Sequence, residues 1–201
     1  MSSKNFIKDI EKIREKIREK IKKGPADTLL SQKPFADGMY RFSMFIINYY
    51  TRVKKDLKID FDSFMIVQTT VSHTLYQLRK KNKDINYEEL ETEWEKLFKE
   101  KNDESLLNMV SDFGAKNPFV KLTMSSICLV TELPKETVRR KINELSKKSI
   151  LKVTKKNGVI LGSQYGKIFE SFVPETVSEV SKLTKNWQKI GLLKSLLTFK
   201  I

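Results

Sequence analysis

The chain has 201 residues, enough for one large domain or two small ones with an adequate buried core. A hydrophobic content of 39%, with 12 Phe and 6 Tyr, excludes a disordered chain, and a net charge of +14 points to a polyanionic partner. The single cysteine, Cys128, excludes an intrachain disulfide and suits a reducing compartment. The opening residues "MSSKNFIKDIEKIREK" lack the apolar run of a signal peptide, and no stretch approaches the ~20 apolar residues of a membrane span. A cytoplasmic protein without a membrane partner is expected.

Residues 4–23 carry Phe6, Ile10, Ile13, Ile17 and Ile21 at helical spacing, and Gly24-Pro25 stops that helix. Its two heptads fit either a dimerising arm or a helix packed on its own domain. Pro34 to Gly38 reads as loop. Met39 to Lys55 reads as a helix with Phe42, Phe45, Ile46, Tyr49 and Val53 on one side. Asp60 is placed to cap a helix from Phe61 to about Lys80. After a polar break at 82–86 come a helix at 87–99 and a short one at 106–113, and Gly114 to Pro118 marks a boundary.

Past that boundary, Thr123 is placed to cap a helix with Ile127 and Val130 inward, and Glu132 to Pro134 forms a turn. Pro134 suits the first position of the next helix, where no N–H is needed. In that helix, 134–148, Val138, Ile142 and Leu145 form one apolar stripe. Lys135, Glu136, Arg139, Arg140, Asn143 and Lys147 occupy its other faces. Ile150 to Thr154 and Val159 to Leu161 read as short strands, joined by a turn at Lys155-Lys156-Asn157-Gly158. A short helix at 165–172 follows, then a long closing helix beyond Pro174 that carries Val177, Val180, Leu183, Trp187, Ile190 and Leu193.

The fold class is therefore mainly α: an N-terminal helical region (1–115), then a winged helix-turn-helix with a small β-hairpin wing and a long closing helix (116–201). Residues 1–115 hold 22 Lys/Arg and 19 Asp/Glu, whereas 116–201 hold 17 and 6, so the surplus charge lies in the second part. Basic side chains release counterions condensed on a phosphate backbone, which makes double-stranded DNA the expected partner.

The segment "LTMSSICLVTELPKETVRRKINELSKKSIL" resembles the winged helix of the Crp/Fnr family of bacterial transcription regulators, without a gap from Leu122 to Leu151. The resemblance implies a homodimeric regulator reading a palindromic site, with Lys135, Glu136 and Arg140 facing base edges. An arginine can pair bidentately with guanine and a glutamate can accept from cytosine N4, while a lysine lacks the planar fork. Thr123, Ser125 and Thr137 would contact phosphates, and Arg139 the backbone. Lys155, Lys156 and Asn157 at the wing tip would lie on a flanking phosphate strand or minor groove, and Asn143 adds a polar outward side chain. The family's glycine-punctuated β-roll and its cluster-binding cysteines have no counterpart in the first part, which reads helical and contains no cysteine.

No catalytic constellation, metal-ligand spacing or phosphate-cradling glycine loop is found, so neither an enzyme nor a cofactor is expected. His73 reads as a satisfied structural histidine and Cys128 as a core residue. The aromatic residues Phe35, Tyr40, Phe42, Phe45, Tyr49, Tyr50 and Phe64 read as core; lining a pocket for a small-molecule effector is the alternative. The rival function is a winged-helix interaction or scaffold module that docks an acidic protein on the same basic face.

Overall fold

The computed structural model describes residues 4–21, 33–81, 88, 89, 91, 92, 95, 120–155 and 158–198. The chain is mainly helical with one small antiparallel sheet. In order come α1 (Lys4–Ile21), α2 (Lys33–Lys55), α3 (Phe61–Lys81), α4 (Met124–Thr131), α5 (Lys135–Lys147), β1 (Leu151–Thr154), β2 (Gly158–Leu161), α6 (Tyr165–Phe169), α7 (Phe172–Lys189) and α8 (Leu192–Leu197). No described helix is long and apolar enough to cross a membrane. Of the helix expected at 87–99, residues 88, 89, 91, 92 and 95 are described. The Gly24-Pro25 stop, the helix at 106–113 and the boundary at 114–118 lie outside the described residues.

Compact units interleave along the sequence: residues 1–10 with 59–170, and residues 11–58 with 171–201. This differs from the expected division at 115/116. The winged segment shares its unit with α3, and the closing helices share theirs with α2.

In the first unit, α3 begins where Asp60 Oδ1 accepts the Ser63 N–H at 2.9 Å, the cap expected from sequence. Its inner side brings Phe64, Ile66, Val67 and Val71 into the core with Ile127, Val138, Ile142 and Leu145. Buried threonines on α3 satisfy their hydroxyls locally, Thr70 on the Ile66 carbonyl and Thr74 on the Thr70 carbonyl. His73, 2% exposed, lies 3.2 Å from Gln77 Nε2. Phe64 stacks on Phe169, which stacks in turn on Tyr165. Strands β1 and β2 pair antiparallel with Leu151 opposite Leu161 and Thr154 opposite Gly158. The Leu122 carbonyl accepts the Val159 N–H at 2.9 Å, so the residues before α4 add a third edge to the hairpin. Gly158 has φ +76°, and a Cβ there would collide with the Leu122 carbonyl, so glycine is needed on both counts.

In the second unit, α2 and α7 pack antiparallel, with Tyr49 beside Phe172 and Gly38 beside Trp187. Helix α2 starts at Lys33, so Pro34 to Gly38 is helical and not the expected loop. Proline is tolerated in a first helical turn. Gly38 lies inside the helix because any Cβ would meet the Leu192 side chain, and its carbonyl accepts the Trp187 Nε1–H at 3.1 Å. The buried Arg52 guanidinium donates to Thr176 Oγ1 at 2.9 Å, approaches Glu179 at 3.0 Å and Glu175 at 3.3 Å, and lies over the Phe172 ring. The predicted aromatic cluster therefore divides. Phe42, Phe45 and Tyr49 lie along α2 with Trp187 and Phe172 from α7, whereas Phe64 belongs to the first unit, and Tyr40, Phe42 and Tyr50 are exposed and not core. The closing helix also differs from expectation. It starts at Phe172, with Pro174 in its first turn, and breaks at Gly191, whose φ is +78°.

Burial lowers the His73 pKa from 6.5 to about 4, against a smaller raising effect of a backbone hydrogen bond with Val120. As pH falls from 6.5 to 4 the unfolded chain takes up this proton before the folded one, so stability falls across that window. Urea midpoints measured between pH 7 and 4 are expected to show a loss on the order of 2–3 kcal/mol for the native chain. His73→Gln should flatten that slope; equal slopes for the two proteins would refute the assignment.

Candidate nucleic-acid interface

Helix α4 opens with Thr123, whose hydroxyl oxygen accepts the Ser126 N–H at 3.1 Å and lies 2.9 Å from Ser126 Oγ. That hydroxyl is committed to the cap expected of it, while Ser125 in the first turn is exposed. The helix ends at Glu132, which adopts a left-handed conformation (φ 60°) and donates its N–H to the Cys128 carbonyl. Pro134 then stands at the cap position of α5, one residue before the first helical position expected for it.

The stripe on α5 is buried as its spacing predicts: Val138, Ile142 and Leu145 are at most 1% exposed. Their burial fixes which side chains turn outward. Lys135, Glu136, Arg139, Arg140, Asn143, Glu144 and Lys147 are all exposed, and Thr137 is half-buried at the edge. Glu136, Thr137, Arg139, Arg140, Asn143, Glu144 and Lys147 line one shallow groove of about 500 Å³. Six of the eleven predicted contact residues (Lys135, Glu136, Thr137, Arg139, Arg140 and Asn143) thus belong to one helix. Lys155 is exposed at the end of β1, where its carbonyl accepts the Lys121 ammonium at 2.8 Å. Lys156 and Asn157 lie outside the described residues.

The outward face is not uniformly cationic. Arg139 donates twice to Glu136 Oε2, at 2.9 and 2.7 Å, and Arg140 Nη1 lies 3.2 Å from Glu144 Oε1. The hydrogen bond from Arg139 holds the Glu136 carboxyl below its usual range and, reciprocally, holds the Arg139 guanidinium above its own. Exposed pairs of this kind are screened by solvent and weak, so an incoming anion can exchange for either carboxylate at little cost.

Two residues outside the sequence-based set shape this surface. Lys121 brings a further cation to the base of the wing. Lys141 does the opposite: its side chain is 7% exposed and pairs with Asp60 Oδ2, with Glu144 at 3.7 Å. Helical spacing carries the signal, since Lys141 falls between Val138 and Leu145 on the apolar stripe. Asp60 thereby serves both helices, capping α3 with one oxygen and receiving Lys141 of α5 with the other.

No model of a known protein family matches this chain, nor does any curated protein or solved structure.

Desolvation raises the Asp60 pKa, but hydrogen bonds from Lys141 and Ser63 and the Lys141 charge outweigh it and bring it down to about 2. A depressed carboxylate contributes stability that is present above its unfolded pKa and lost as pH falls from near 4 to 2. Because Asp60 is half-exposed, its contribution is about 1 kcal/mol or less. Asp60→Asn should remove the acid slope between pH 4 and 2 in circular-dichroism titrations while leaving the His73 window unchanged. Persistence of the full slope in that variant would place the acid sensitivity elsewhere.

Proposed function

We propose that the chain is a sequence-specific, double-stranded DNA-binding transcriptional regulator of the winged-helix kind, acting in the cytoplasm as a homodimer without enzymatic activity. The observation that carries this reading is the orientation of α5: its apolar stripe is fully buried, and Lys135, Glu136, Arg139, Arg140, Asn143 and Lys147 all turn outward. A helix of that kind fits the major groove, about 12 Å wide. The resemblance of residues 122–151 to Crp/Fnr winged helices supports the same assignment.

In this reading Arg140 leaves Glu144 to donate a bidentate pair to guanine, and Glu136 leaves Arg139 to accept from cytosine N4. Arg139, once released, is available to a phosphate. Ser125, Thr137 and Lys155 set the register on the sugar–phosphate backbone. Two copies would place their α5 helices in successive major grooves ~34 Å apart on a palindromic site.

A duplex titration across salt concentrations tests the class, and selection from a random duplex pool tests the specificity. A steep fall of log affinity with log salt, together with an enriched palindrome, is the expected result. Saturable binding to an acidic protein with no measurable duplex affinity would instead establish the rival docking module.

Within the interface, Arg140→Ala should cost about 1–3 kcal/mol on the selected duplex and relax preference at one base pair. Lys155→Ala should weaken all duplexes alike and reduce the salt slope by about 1. Equal losses on selected and random duplexes for Arg140→Ala, or a loss confined to the selected duplex for Lys155→Ala, would overturn these roles.

A further inference from the structure

The α2–α7 pair carries a second surface that the DNA-binding reading does not use. Its seam is formed by Gly38, Phe42, Tyr49 and Arg52 against Trp187, Phe172, Thr176 and Glu179. Residues one position before the seam turn to one side. Arg41 and Asn48 of α2 and Asn186 of α7, each one position before a seam residue, line a common groove of about 380 Å³ there with Met44 and Lys182. In an antiparallel pair, residues one position after the seam must share the opposite side, because reversing a helix reverses its sense of rotation.

On α2 those residues are Met39, Ser43, Tyr50 and the buried Val53, and on α7 they are Val173, Val177, Val180 and Gln188; Ile46 and Thr184 share the same side by helical spacing. None is charged. Met39 and Tyr50 are 40% and 42% exposed, and Val173, Val177 and Val180 are 42%, 61% and 43% exposed. The groove side of the same two helices carries Arg41, Glu179 and Lys182. In a chain that is 32% charged, the positions named on this face are thus free of charge.

We propose that this uncharged face is the surface on which a second copy of the chain docks, forming a twofold-symmetric dimer. This names the surface used by the dimeric reading above and rests on that reading for its role. Electrostatics selects the occupant. A chain of net charge +14 repels its own copy, and a twofold axis sets like charges near one another, so close approach is least costly where no charge stands. An acidic partner would gain nothing from a neutral face. Interface centres are depleted in charge and enriched in Tyr and Met, as this one is. Two helices of ~27 Å, each ~10 Å across, present on the order of 500 Å², against ~800 Å² per partner in a standard interface. The face therefore supplies the centre of a dimer contact, with a polar rim completing it.

Sedimentation velocity on the full chain without DNA, across the micromolar range, tests the proposal. The native protein is expected to dimerise reversibly. Val177→Lys, at an exposed position where lysine is the better helix former, should raise the dimer dissociation constant at least about tenfold. Val173→Lys should repeat the effect with an unchanged helical circular-dichroism signal, and Lys182→Glu, on the groove side, should leave dimerisation intact. A native chain that stays monomeric throughout, or lysine variants that associate like the native chain, overturns the proposal. Duplex binding measured in parallel separates the two readings. A monomer that still binds duplex DNA removes this surface alone, and a dimer that binds none removes the regulator alone.

Discussion

The burial of Val138, Ile142 and Leu145 against the core that α3 supplies is the constraint on which the rest of the winged segment depends. Three apolar side chains on one stripe set the roll of α5 only coarsely, since neighbouring rolls would bury similar area. Lys141 sharpens the setting. An ammonium with little solvent access is unfavourable by several kcal/mol unless it meets a partner, and Asp60 is that partner. Because the same carboxylate caps α3, rolling α5 would separate Lys141 from Asp60 and leave it only Glu144, 3.7 Å away on its own helix. The positions of Arg140 and Glu136 at the surface follow from the buried stripe and that internal pair together.

The two exposed ion pairs on α5 have a different consequence. Each lowers the net charge offered to a polyanion while remaining weak enough to open. Non-specific affinity rises with every phosphate neutralised, so carboxylates held beside arginines moderate the sequence-independent term. In the proposed DNA-bound state, base pairs with the right donors and acceptors would open the pairs and use both partners. Specificity is a ratio of these affinities, and a face that mixes cations with carboxylates favours the ratio over raw binding strength.

Much of this architecture was legible from local chemistry. The stripe on α5, the Asp60 and Thr123 caps and the hairpin each arise from residues within a few positions of one another. The exceptions depend on partners distant in sequence. Pro34 and Gly38 look like loop punctuation, yet both are helical, and the Leu192 side chain packs into the space a Cβ at Gly38 would fill. Gly191 lies in a run of apolar residues at helical spacing, and only its left-handed backbone shows that the closing helix ends there. The outward place of Glu136 was legible from its spacing, whereas the inward turn of Lys141 and the pairing of Glu136 and Glu144 with the arginines were not. The likeness of 122–151 to a winged helix could not show that α3, more than forty residues upstream, completes the same core.

That completion bears on how the chain is organised. Leu122, Ile127, Val138 and Ile142 belong to one buried set with Ile66, Val67 and His73 of α3. The residues from 116 onward are therefore not a self-sufficient domain attached to a helical arm. The two units share three crossings of the chain, near residues 10, 58 and 170, so neither can be excised as a single segment. Helix α1 runs through the first crossing and Ser171 precedes α7 at the last, which makes helix ends and a helix interior the covalent links between units.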